Sequence, residues 1–99
     1  MIHTAVDAYV LETLMPDLVG HDRSPSAFLV YLHLWHVTAG ARERRAARSL
    51  AQMAEETGLS KSAVQGALRL LKRRKLVRAE RASITAVPVY EVLRPWVRK

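Results

Sequence analysis

Apolar residues recur along the chain with two periods: helical spacing up to about residue 75, and short β-type runs beyond it. Between Thr4 and Leu14, the residues Val6, Tyr9, Val10 and Thr13 share one helical face, while Ala8 and Leu11 lie opposite. This first helix, 4–14, is therefore two-sided: it is either sandwiched within the fold or set against a second copy of itself. Pro16 disfavours helical backbone at Met15, which predicts an end near Leu14. A second helix, 24–39, opens with Ser24 as N-cap and Pro25 at the first helical position, where its missing N–H costs nothing. Phe28 to Val37 is apolar nearly all round, as expected of the central element of a small core. Gly40 is the expected stop. The basic connector Ala41 to Arg48 leaves loop, helical extension and short strand all open.

A stronger pattern follows. Ser49-Leu50-Ala51-Gln52 matches a capping box, in which Gln52 reaches back to the Ser49 N–H. Leu50, Met53 and Ala54 form one apolar face, and Gly58 ends the helix. After a single turn Ser60 caps a fourth helix running to about Lys75, with Val64, Ala67, Leu68 and Leu71 inward at i, i+3, i+4 and i+7. Residues 76–80 and 87–93 then read as two antiparallel strands, with 81–86 between them. Pro88 cannot donate to a ladder, so it belongs at a strand start or an edge. Trp96 is expected to fold back onto the core.

Charge changes the picture more than composition does. The 99 residues carry a net charge of +7, and one domain covers 1–99. From Met1 to Gly40 four acids face a single base, a balance of −3, whereas Ala41 to Lys99 holds fifteen bases and five acids, a balance of +10. Such segregation points to a polyanionic partner for the second part.

Other chemistries find little support. With no cysteine, neither a disulfide framework nor a thiolate metal site is available. His33 and His36 alone among the four histidines share a helical face, at i, i+3, and nothing nearby completes a metal site. A Gly-rich phosphate loop and a nucleophile elbow are both missing, so no enzyme, cofactor, metal or small-molecule ligand is expected. No apolar run approaches the roughly 18–20 residues that cross a bilayer, and the start does not read as a signal peptide. A cytoplasmic, nucleoid-associated protein is the expectation.

Two helices crossing steeply around a short turn impose definite demands. Ala54 supplies the small residue where they touch, Gly58 the left-handed backbone of the turn, Leu59 the corner plug, and Val64, Ala67 and Leu68 the apolar return. On these residues, Leu50 to Arg69 resembles the helix-turn-helix of winged-helix DNA-binding proteins. Leu71-Lys72-Arg73-Arg74-Lys75-Leu76-Val77 resembles the basic exit into the wing in bacterial regulators of that superfamily. Leu14 to Leu18 and Ser24 to Phe28 look like bacterial and phage helix-turn-helix proteins of replication-initiator type. The resemblance is specific over 49–77 and loose over 5–40. The wing, 76–93, matches in strand pattern only, because its tip lacks the glycines many relatives carry.

The resemblance implies a mainly α fold with a small antiparallel β-ribbon, a winged helix-turn-helix of about four helices and a two- or three-stranded wing. It implies that helix 60–75 enters the major groove of double-stranded DNA and that the protein is a homodimer. With Val64 inward, a 100° step per residue sets Ser62, Gln65, Gly66, Arg69 and Arg73 outward. Arg69 suits guanine or a phosphate, and Gln65 suits adenine. Lys61 and Ser62 at the helix N-terminus suit a phosphate. Gly66 fits either close backbone approach to DNA or helix–helix proximity. Lys72, Arg73, Arg74, Lys75, Arg78 and Arg81 form a basic stretch for flanking phosphates. Arg48, with Arg42, Arg44 and Arg45, is a further candidate in the connector. A small transcriptional regulator is the leading reading. A plasmid or phage replication-initiation or partition protein remains open, as does a winged helix used as a protein-interaction module.

Overall fold

The computed structural model describes residues 2–97. Its order is an N-terminal helical segment, α1 (Pro25–Val37), β1 (Ala46–Ala47), α2 (Leu50–Thr57), α3 (Lys61–Arg73), β2 (Val77–Glu80) and β3 (Val89–Val92). The fold class is thus mainly α with a small three-stranded antiparallel sheet, laid out as a winged helix. Strand β3 lies in the middle of the sheet, in the order β1-β3-β2.

The N-terminal segment departs most from expectation. Residues 4–7 are not helical, and helical turns instead run from 8 to 21, straight past Pro16. They do so in wide turns, Val10–Leu14 and Pro16–His21, with the Met15 N–H donating to the Val10 carbonyl and the Asp22 N–H to that of Asp17. Pro16 has no N–H for the Glu12 carbonyl, and its ring would strike that carbonyl in a regular helix. Widening to i→i+5 bonds relieves both conflicts. Val10, Leu14 and Leu18, spaced by four, are buried, while Tyr9, Leu11, Met15 and Val19 stay exposed.

Helix α1 is the axis of the core. Ser24 accepts from the Ala27 N–H at 3.2 Å, and Ala27, Phe28, Val30, Tyr31, Leu34 and Trp35 are buried. Its polar tips are satisfied by distant backbone: Tyr31 Oη donates to the Leu93 carbonyl at 3.0 Å and Trp35 Nε1 to the Ala5 carbonyl at 2.8 Å. Helix α1 ends at Val37 rather than Ala39, and the left-handed reversal falls on Arg42 (φ 59°) instead of Gly40. Gly40 has a different use. A Cβ there would lie 2.9 Å from Thr4 Cγ2, so glycine lets the N-terminal strand of chain close over the turn. Trp96 folds back as expected, stacking on Tyr9 with 4.5 Å between ring centroids.

The basic connector contributes β1, paired with β3 through Ala46↔Tyr90 and Ala47↔Val89. Pro88 immediately precedes β3, and its carbonyl accepts from the Arg48 N–H at 3.1 Å.

One ion-pair cluster ties the acidic N-terminal segment to the end of α3. The Arg74 guanidinium donates to both Asp17 and Asp22. Hydrogen bonding from His21, with the nearby Arg74 charge and its bond, holds the Asp22 carboxyl below the usual carboxylate range. A carboxyl depressed in the folded state adds stability that is complete above its unfolded pKa, near 4, and is lost as pH falls through the folded value. Urea midpoints are therefore expected to hold down to about pH 4 and to drop as pH falls below it. Asp22→Asn should cost on the order of 1–2 kcal/mol at pH 7 and flatten that drop. An unchanged pH profile in Asp22→Asn would show that the clamp contributes nothing.

Candidate nucleic-acid interface

Helices α2 and α3 are built by the local signals that the sequence carries. Both bonds of the capping box are present: Ser49 N–H to Gln52 Oε1 at 2.8 Å and Gln52 N–H to Ser49 Oγ at 3.1 Å. Gly58 turns the chain at φ 81°, where a side chain is strained. Ser60 Oγ then accepts from the Ala63 N–H at 3.1 Å. That leaves the Lys61 and Ser62 N–H groups, first in the helix, pointing outward without intrahelical acceptors. Helix α3 ends at Arg73, two residues short of the expected Lys75, because Lys75 itself adopts a left-handed φ of 57°.

The facing of α3 follows its apolar stripe. Val64, Ala67, Leu68 and Leu71 are buried against the core, while Lys61, Ser62, Gln65, Arg69, Lys72 and Arg73 are exposed. Leu70 is partly buried against the same core. Gly66 is half-buried, and a Cβ there would meet only Arg69 Nη2, at 3.9 Å. Helix–helix proximity therefore does not account for this glycine.

Cations divide into two groups. Among the described residues, Lys61, Arg69, Lys72 and Arg73 take part in no ion pair. No acid occurs between Glu56 and Glu80, so α3 carries positive charge that nothing on its own element offsets. Several other candidates are committed internally. Arg48 is half-buried, bonded to Glu56 at 3.2 Å and to the Ala47 carbonyl at 2.8 Å. Arg78 donates to Glu91 at 2.9 Å, its direct cross-strand partner. Arg44 joins the same carboxylate at 3.3 Å. Bonding to Arg78 first, then Arg44, keeps Glu91 below the usual carboxylate range. Arg74, expected on phosphates, is instead held by Asp17 and Asp22. Arg81 differs: one N–H goes to the Ile84 carbonyl at 3.1 Å and pins the hairpin tip, but no ion pair among the described residues takes its charge.

His33 and His36 have partners that explain them structurally. His33 bonds Glu56 at 2.9 Å, and His36 bonds Thr4 Oγ1 at 2.5 Å. Asp17, His21 and Asp22 approach one another, a grouping that sequence spacing did not reveal, and Arg74 is seated on both carboxylates.

A groove of about 410 Å³ separates the exposed face of α3 from the hairpin. Gln65, Arg69 and Lys72 line it on the helix side, and Arg81, Thr85 and Tyr90 on the hairpin side. Leu68 and Pro88 also line it, with Ser49 and Leu50 at the start of α2. Sequence reading missed this groove, because its helix-side residues, 65–72, and its hairpin-side residues, 81–90, come together only in the folded chain.

Comparison with family models, with curated proteins and with solved structures gives no match. Any functional reading therefore rests on the geometry above. No helix among the described residues is long and apolar enough to cross a membrane.

Proposed function

We propose that the chain binds double-stranded DNA, with α3 in the major groove, and acts as a small transcriptional regulator. The observation that carries this reading is the outward row of α3: Lys61, Arg69, Lys72 and Arg73 exposed, without ion pairs among the described residues, on a helix with no acid. Arg44, Arg74 and Arg78, by contrast, each have a carboxylate partner. A helix about 10–12 Å across fits the major groove. Gln65 and Ser62 supply base-reading amide and hydroxyl groups between the cations, and Lys61 with two free N–H groups faces a phosphate. The resemblance of Leu50 to Arg69 to winged-helix DNA-binding proteins supports the same reading.

Selection of bound duplexes from a random pool, followed by polarisation titration across salt, tests it. Recovery of a defined sequence is the expected result, and a palindromic one would reveal a two-fold pair of chains. Absence of duplex binding even at low salt defeats the proposal.

Gly66 provides an independent check. Alanine fits its space and improves helix propensity by up to about 1 kcal/mol, so Gly66→Ala should raise the urea midpoint. The same methyl group would stand between α3 backbone and the base edges of the DNA major groove, and duplex affinity should fall. A variant that is more stable and binds equally well would show that DNA does not approach the helix there.

A further inference from the structure

We propose that the groove between α3 and the hairpin holds one phosphodiester of the bound duplex, and that the Tyr90 hydroxyl donates a hydrogen bond to it. The inference rests on the DNA-binding reading and adds a specific ligand group and an acceptor-facing residue to it.

Tyr90 is the central observation. It lies in β3 with Ala46 of β1 and Ala79 of β2, both small, as its cross-strand partners. The residue is only 3% exposed, yet it lines the groove. Tyr31, also buried, gives its hydroxyl to the Leu93 carbonyl. The Tyr90 hydroxyl has no such partner among the described residues. No fully enclosed side-chain polar atom goes unpaired among them either, so this hydroxyl is the part of Tyr90 that opens to the outside. A phenol with its ring buried and only its hydroxyl meeting solvent is placed to give that hydrogen bond to an acceptor arriving with a ligand.

The groove walls define that acceptor. Arg69 and Lys72 stand on one side and Arg81 on the other, with no carboxylate among the lining residues. Three cations and one neutral donor around a slot match an anion that accepts several hydrogen bonds. Burial pushes the Tyr90 phenol up, although Arg81 opposes this, so the group stays protonated and able to donate at neutral pH. Geometry supplies the source of the anion. With α3 in the major groove and the hairpin beside it, the strand backbone that separates major from minor groove must run between them. This assignment makes Arg69 a phosphate contact and leaves Ser62, Gln65 and the Gly66 backbone for base edges.

Tyr90→Phe tests it on the duplex recovered by selection. The hydroxyl has no partner among the described residues, so the urea midpoint should be unchanged. Affinity should fall about tenfold to a hundredfold, as for loss of a hydrogen bond to a charged acceptor. The slope of log affinity against log salt should stay the same, because no cation has been removed. Arg69→Gln should instead lower that slope by about 0.9. A second arm replaces single phosphates of the duplex by methylphosphonate, one position at a time. At one position, the penalty suffered by the wild-type chain should shrink in Tyr90→Phe, since the two changes remove one interaction. Unchanged affinity in Tyr90→Phe, or equal methylphosphonate penalties at every position, overturns the inference while leaving DNA binding intact. A wild-type chain that binds no duplex overturns the underlying reading, and this inference with it.

Discussion

Replacing Arg69, Lys72 and Arg73 together by glutamine is expected to weaken duplex binding by between two and three powers of ten at about 0.1 M salt. Each phosphate contact releases counterions and contributes about 0.9 to the slope of log affinity against log salt, so three contacts should lower that slope by about 2.7. Stability should hold or rise slightly, because none of the three has an ion-pair partner among the described residues and their removal relieves mutual repulsion along α3. The informative control is equal in charge. Arg44, Arg45 and Arg78 all lie within 3.9 Å of Glu91, and their triple replacement also removes three positive charges. That variant should lose stability, because Glu91 is left without its partners, and should lose far less affinity. If the two triple variants bind equally poorly, net charge rather than the α3 face governs binding, and the proposed interface is wrong.

The contrast between these two sets of cations also marks how far the sequence could be read. Helices α2 and α3 were legible because their signals are local. The Ser49–Gln52 capping box, the Gly58 turn and the Ser60 cap each act within four residues, and the stripe of Val64, Ala67, Leu68 and Leu71 fixes the outward face by arithmetic. The fold class followed from those elements together with the change of period after Leu76. Ion-pair partners were not legible, since they depend on contacts between residues far apart. Arg74 meets Asp17 and Asp22 across 57 and 52 residues, and Arg44 meets Glu91 across 47. Local rules even misled at Pro16, where packing of Val10, Leu14 and Leu18 on α1 outweighs the proline's preference and the helix widens rather than stopping. At Gly40 the residue type was a correct alarm with the wrong cause: close approach of Thr4, not a helix cap. The Tyr90 groove needed the sheet register, and two-residue β1 is too short to carry a pattern.

The second large effect concerns the stripe itself. Leu71 is fully buried, and α3 packs through it against the core built on α1. Leu71→Ala removes three carbons from a site that cannot collapse freely, so it should cost about 3 kcal/mol, within the 2–5 kcal/mol seen for such truncations. For a domain of this size that is about 30–60% of a stability of roughly 5–10 kcal/mol, and the melting temperature should fall by about 12–24 °C. The effect on DNA should differ in kind from that of Arg69. At low temperature, where the variant is folded, Leu71→Ala should bind nearly as well as wild type with the same salt slope; on warming, binding should disappear together with the folded fraction. Urea unfolding and polarisation measured side by side at two temperatures separate the two behaviours. A cost below about 1 kcal/mol would mean that α3 does not dock through Leu71. The face carrying Gln65, Arg69 and Lys72 would then no longer be fixed outward, since the same helical geometry that buries one set of residues exposes the other.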